Sequence, residues 1–343
     1  MCAENFTAIE KTVNLKSEKD IGDTAMFYVG LVLKMYLNPA LGVSGIFINI
    51  INTGIFYNMG LSDGVSQNFL ILSVFDGVLA AAASVNSVCY ILLETVFTRG
   101  GKTAENLQTV FWSSIVAWPF SQIVSCVTTA VIAVVRCCCV ALPLRVKRVL
   151  TARRQLAVIV LFSASFDGIL LYVFSSGRFV HILDAQTNVS NIFLIGQDYG
   201  TLNIFTNIFF YTNFAVVVIC LAILTINLGK ASKFRQLSTA SQLNTEKPKE
   251  KSRETRIVQT VTLVSAIFVL YNVPTIVQSI LRQFLYGFSS RGQHKNLYNF
   301  FLVLIETTML LNVDVNIFIY LSYNSRYRTI FTNMLTSNNY QTK

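Results

Sequence analysis

Residues 107–140 read LQTVFWSSIVAWPFSQIVSCVTTAVIAVVRCCCV, a run of 34 residues in which Arg136 is the one charged side chain. A helix that crosses a bilayer needs about 20 mostly apolar residues. This run exceeds that length, so it reads as a tilted spanning helix that projects beyond the membrane at its arginine end. The three consecutive cysteines invite a metal or redox reading. Successive helix residues point about 100° apart, however, so Cys137, Cys138 and Cys139 cannot converge on one ion. They read as small packing residues, with acylation of one as the alternative.

Composition extends the same reading to the whole chain. Its 343 residues are 53% hydrophobic and 13% charged, with mean hydropathy +0.55. Soluble domains carry about 25% charged residues, so too few polar groups remain to cover a water-facing surface. Seven segments qualify as spans: approximately 37–57, 67–92, 107–140, 153–174, 204–228, 257–281 and 296–321. Residues 24–36 are apolar but interrupted by Lys34, and with Asn38 and Pro39 following they read as an interfacial helix. The expected organisation is an outer N-terminus over 1–36, a bundle over 37–321, and an amphipathic helix with a short tail over 322–343. The first twenty residues hold no apolar core of signal-peptide type, so the first span is expected to act as its own signal. The fold class is therefore an all-α membrane protein, a seven-helix bundle plus a short amphipathic helix.

Loop charge gives the expected orientation. With the N-terminus outside, sixteen Lys/Arg fall on the inner side and ten on the outer, and the short inner loops 145–154 and 229–256 hold five and eight. The basic side should be cytoplasmic. The sequons at Asn5 and Asn188 then both fall outside. The net charge of +10 reads as topology and attraction to anionic lipid. Basic residues split among membrane loops do not form a nucleic-acid surface. The cysteine run lies at the reducing end, where disulfides are disfavoured.

Ionisable groups inside spans are costly and need a partner or a task. Here they are Asp76, Asp167, Glu306 and Asp314, with Arg136 at a helix end. Asn49, Asn52, Asn312 and Asn316 accompany them, the last two on one helix face. Asn52, Asp167 and Asp314 read as interhelical glue.

An ordered set of motifs now spans all seven segments. Asn49 lies in the first, Asp76 in the second, and Arg136 ends the third with Pro143 seven residues on. Phe268 and Pro274 lie in the sixth, and Asn316-Ile317-Phe318-Ile319-Tyr320 in the seventh, followed by SYNSRYRTIFTNML. The chain resembles the rhodopsin-like (class A) G-protein-coupled receptors, in particular molluscan chemosensory-type and FMRFamide-like invertebrate receptors. The resemblance implies a plasma-membrane receptor that is not an enzyme. Its partners would be an extracellular small-molecule or peptide ligand, a heterotrimeric G protein and membrane lipid.

The resemblance also implies site residues. Asp76, Ser125, Asn312 and Asn316 would form a pocket for an allosteric Na⁺ or for water, the alternative being a protonated, hydrogen-bonded Asp76. No other cofactor is expected. Trp118, Gln122, Asn272, Thr275, Ser279 and Glu306 would line the ligand pocket, with Glu306 facing a cationic amine or a peptide arginine, or else paired with a basic neighbour such as Arg282. Arg136, Glu254, Phe268, Pro274 and Tyr320 would form the activation switch. Arg136–Glu254 is its resting latch, unless Glu254 is simply solvated. The basic loop 229–256 would extend the fifth and sixth helices, contact a G protein and offer Ser232, Ser238, Thr239 and Ser241 for phosphorylation. In 323–335, Tyr327, Ile330, Phe331 and Met334 share one side, suited to the membrane surface.

Several positions depart from the family pattern. Val135 replaces an acid, Asn272 a tryptophan and Ile317 a proline; Phe111 stands where the family has a disulfide cysteine. The fourth span lacks a tryptophan, the fifth lacks a proline, and residues 213–230 hold no tyrosine. A ligand-gated channel or transporter is the alternative reading, but neither a selectivity ring nor a repeat is visible. An enzyme reading lacks a catalytic constellation, since His181 and His294 lie in separate outer loops.

Overall fold

The computed structural model describes residues 22–61, 64–95, 102–141, 150–175, 178–183, 190–195, 199–239, 248–289 and 292–337. Seven helices are long and apolar enough to cross a membrane. They are α1 (Gly22–Met59), α2 (Gly64–Thr95), α3 (Lys102–Ala141), α4 (Ala152–Ser175), α5 (Tyr199–Thr239), α6 (Pro248–Phe284) and α7 (Lys295–Tyr323). A short helix, α8 (Ser325–Ser337), comes next in the chain. The expected all-α seven-helix membrane bundle with its extra helix is the fold. α3 is the central post, touching α2, α4, α5 and α6, and α7 closes the ring against α1, α2 and α6.

The first helix corrects the reading of residues 24–36. They form no separate interfacial helix; α1 runs unbroken from Gly22, 15 residues before the expected start at 37. Pro39 explains why the run looks interrupted. Its ring lacks an N–H and crowds the carbonyl four residues back, here Met35. The chain answers with a π-helical turn over Leu33–Leu37, closed by the Asn38 N–H donating to the Leu33 carbonyl. A π turn adds a residue to a helix, and each added residue turns the remainder of that helix by about 100°. The widened turn carries Lys34, whose side chain is 13% exposed and lies among α2 and α7 rather than at a lipid interface.

Small residues let α1 lie close to its neighbours, the usual device where no water drives helices together. A Cβ on Gly45 would lie 2.9 Å from Asp314 Oδ1 and 3.0 Å from Ala80 Cβ. One on Gly42 would collide with Ser84 Oγ. The α1–α7 contact is zipped by polar pairs: Thr307 Oγ1 donates to Asn38 Oδ1 over 2.6 Å, and Ser44 Oγ donates to Asp314 Oδ2 over 2.6 Å. Asp314 thus fills the glue role expected of it.

The largest core cluster lies at the α8 end. Phe56 of α1, Phe69 of α2, Tyr320 of α7 and Tyr327 of α8 form an aromatic group with centroids 5.0–5.5 Å apart. Tyr327 is fully buried, its hydroxyl donates to Asn52 Oδ1, and burial pushes its phenol above the usual range. Asn52 is therefore glue too, but between α1 and α8. Ile330 and Phe331 pack on the same cluster, while Met334 stays exposed. The apolar side of α8 is thus spent largely on the bundle.

Between α4 and α5 an antiparallel ribbon, β1 (Arg178–Leu183) and β2 (Ser190–Ile195), pairs Arg178 with Ile195 and Leu183 with Ser190. β2 lies against α3. This ribbon is an addition to the expected fold.

Candidate functional site

A cavity of about 470 Å³ opens between α1, α2, α3 and α7 at the end of the bundle opposite α8. That is within the usual size range of small-molecule sites. The aromatic side chains Phe27, Tyr90, Phe111, Trp118 and Phe300 stand in its wall. Lys34 and Glu306 form its polar corner, with Lys34 Nζ donating to Glu306 Oε2 over 2.6 Å. The corner continues inward. Lys34 Nζ also donates to Asn86 Oδ1 over 2.5 Å, and Asn86 Nδ2 donates to Ser114 Oγ over 3.3 Å. Ser87 Oγ donates to Glu306 Oε1 over 3.4 Å. Four spanning helices therefore meet in one closed network around a carboxylate that is 3% exposed.

Glu306 and Trp118 line the cavity, as expected. Gln122, Asn272, Thr275 and Ser279 do not, and among the described residues none of α6 lines it. The site sits on the α1–α2–α3–α7 side instead. The cation beside Glu306 is Lys34; the expected alternative, Arg282, is exposed on α6 and lies off the cavity wall. Asn272 turns its amide back onto its own helix, donating to the Phe268 carbonyl over 2.8 Å. Phe111, which resemblance places where a disulfide cysteine would stand, is part of the wall. Sequence reasoning does not find Lys34, Asn86, Ser87, Ser114 or Tyr90. The one signal for Lys34 is a cation inside an apolar run, which Pro39 disguises as an interface.

About ten residues further along α7, or about 15 Å, lies the second polar centre. Ser125 Oγ of α3 donates to Asp76 Oδ1 over 2.6 Å, and Asn316 Nδ2 of α7 donates to Asp76 Oδ2 over 3.3 Å. The structure brings three of the four expected residues together. Asn312 is half-buried one turn earlier on α7, and among the described residues no hydrogen bond joins it to Asp76. The buried Asn316 Oδ1 has no hydrogen-bond partner among the described residues. Oxygen ligands suit hard cations, so Asp76, Ser125 and Asn316 Oδ1 fit a small cation, which would balance the carboxylate's charge there.

The switch residues divide. Tyr320 is 1% exposed within the aromatic cluster, and its hydroxyl has no partner in the protein. Phe268 is buried with Ile123, Val124, Val127 and Val217, and Pro274 lies inside α6. Arg136 is half-buried near the end of α3, next to the buried Val135. Glu254 lies within α6, but its side chain falls outside the described residues, as do Asn5, Asn188, Pro143 and the side chains of Ser232, Ser238, Thr239 and Ser241. Asp167 lies on α4, half-buried, with Oδ1 unpartnered, so its expected glue contact is not made among the described residues. Cys137, Cys138 and Cys139 are free thiols, as is the buried Cys220 of α5.

Fold and site together define a multi-pass membrane protein of seven spanning helices, with an apolar cavity at one end and a docked terminal helix at the other. No protein-family model matches the chain, and no curated protein matches it either.

Proposed function

We propose that this chain is a rhodopsin-like G-protein-coupled receptor of the plasma membrane, with its N-terminus outside and its C-terminus in the cytoplasm. In this reading 22–323 is the receptor bundle, α8 and the tail lie inside, and the cavity takes an extracellular ligand. The observation that carries the proposal is the pairing of Asp76 with Ser125 and Asn316. It joins α2, α3 and α7 between a ligand-sized cavity and the aromatic cluster that holds α8, about one helical turn from Tyr320 of that cluster. A ligand wedged among α1, α2, α3 and α7 would bias that three-helix contact, and a bistable contact is what a ligand can shift. Pro274 deprives the Leu270 carbonyl of its helical donor, which supports a hinge in α6. Arg136 at the end of α3 then faces the G protein, restrained at rest by Glu254. Na⁺ at Asp76, if held, would favour one arrangement by balancing the carboxylate.

The test is surface expression with a promiscuous G protein, with calcium read against odorant, amine and peptide panels. A response lost on omitting the G protein supports the receptor. A ligand-gated current that persists without it supports the channel or transporter alternative. A flat response to all three panels, with surface expression confirmed, would overturn the receptor reading.

A further inference from the structure

Among the described residues, the side chains that line the cavity and carry charge are Lys34 and Glu306, and they are paired with each other. Neither is left wanting a partner. Lys34 Nζ makes two hydrogen bonds, to Glu306 and Asn86, and both Glu306 oxygens accept one. The lining therefore presents a compensated pair of opposite charges, not a charge. The remaining wall is aromatic and aliphatic, with Asn296 and the exposed Asn299 near the α7 start. Of the two readings of Glu306, facing a ligand cation or paired with a basic neighbour, this geometry is the second, with Lys34 in the place expected of Arg282.

We propose that the cavity selects an uncharged, largely apolar ligand and discriminates against cationic amines and zwitterions. A cation that takes Glu306 from Lys34 would leave an ammonium that is 13% exposed without its carboxylate. An anion meets the mirror-image difficulty at Lys34. Burying a charge without its own partner is strongly unfavourable. A neutral apolar molecule leaves the Lys34–Glu306–Asn86–Ser114 network intact and fills the space against Phe111, Trp118 and Phe300. The inference rests on the cavity being the ligand site, and its test reads binding rather than signalling, so the two can fail separately.

The test uses the full chain in lipid nanodiscs. It is photolabelled with a diazirine-bearing ten-carbon alcohol, or with the same skeleton ending in a primary ammonium. Modified residues are located by peptide mass spectrometry. In the wild type the alcohol should label the peptides carrying Tyr90, Phe111–Trp118 or Phe300, by about tenfold or more over the ammonium probe. Excess unlabelled decanol should suppress that labelling. Lys34→Met leaves Glu306 without its cation and should reverse the preference. The charge-swapped Lys34→Glu/Glu306→Lys protein restores a neutral pair and should restore preference for the alcohol, which keeps the test valid if Lys34→Met folds poorly. Ammonium labelling of the wild-type cavity equal to or above that of the alcohol would overturn the proposal. So would alcohol labelling confined to outward-facing residues such as Phe47 and Ile50. Cavity labelling without any G-protein response would leave this inference standing and sink the receptor reading.

Discussion

Ser125 Oγ donates to Asp76 Oδ1 over 2.6 Å, and Asn316 reaches the other carboxylate oxygen, so one buried side chain joins three helices. Asp76→Ala removes the acceptor of both bonds and leaves two buried donors. Each orphaned donor costs about 1–3 kcal/mol. Asp76→Asn retains an acceptor and should cost less. The measurement is thermal unfolding in detergent with a thiol-reactive dye, because Cys89, Cys126 and Cys220 are free and buried and will report the opening of the bundle. In the same assay, replacing choline chloride by NaCl should raise the wild-type midpoint but not that of Asp76→Asn. Equal shifts would remove the sodium reading.

Lys34→Met leaves the 3% exposed Glu306 carboxylate beside an apolar wall. Removing one partner of a buried pair costs about 3–5 kcal/mol, whereas replacing both with apolar groups is often neutral or stabilising. Lys34→Met/Glu306→Leu should therefore melt above Lys34→Met. If the double variant melts lower than either single one, the pair is not coupled as described.

Gly45→Val should loosen α1. Already the first added carbon lies 2.9 Å from Asp314 Oδ1 and 3.0 Å from Ala80 Cβ, closer than ordinary van der Waals contact, and Val adds two more. Overpacking of this kind costs about 1–3 kcal/mol. Gly168 faces open space, so Gly168→Ala is the control and should leave the melt unchanged.

Tyr327 tests how α8 is held. Tyr327→Phe removes the bond to Asn52 and keeps the ring, a loss of about 0.5–1.5 kcal/mol. Tyr327→Ala removes the ring from the Phe56–Tyr320 cluster, where large aromatics are worth about 3–5 kcal/mol. Trypsin cleavage after Arg326 or Arg328 should be slow in the wild type, little faster in the Phe variant and fast in the Ala variant. Equal cleavage in all three would mean that α8 is not docked.

Val135→Glu restores the acid that the family resemblance places before the arginine. Val135 is 8% exposed and borders an apolar groove shared with Val131 and Phe209. The substitution therefore carries a folding cost, and basal signalling must be read per receptor at the surface. On the proposed receptor reading, basal signalling should fall, because Arg136 gains a local partner. An unchanged baseline would remove the idea that resting restraint depends on that pairing.

The spans are legible in the sequence because membrane crossing leaves a long apolar run whatever the neighbours are. Six of the seven begin and end within a few residues of expectation or extend into the flanking polar loops, as the fifth and sixth do along 229–256. A lone carboxylate in an apolar run says only that Asp76 needs partners; it is the family resemblance that names Ser125 and Asn316 as those partners. The first helix and the cavity are not legible in the sequence. Lys34 lies 272 residues from Glu306 in sequence, and nothing local to either residue names the other. The π turn at Leu33–Leu37 rotates Lys34 out of the phase that simple 3.6-residue periodicity assigns it. The ribbon β1–β2 escapes notice because two six-residue strands are too short to register in a search for spanning runs.

Phe111 forms part of the cavity wall at the position where the family resemblance expects a cysteine, and the six cysteines among the described residues are all free. The ribbon beside α3 is thus held by main-chain pairing and contact, not by a covalent clamp to that helix. Since no disulfide joins the described residues, synthesis in a reducing cell-free lysate supplied with nanodiscs should yield the same bundle as a secretory host.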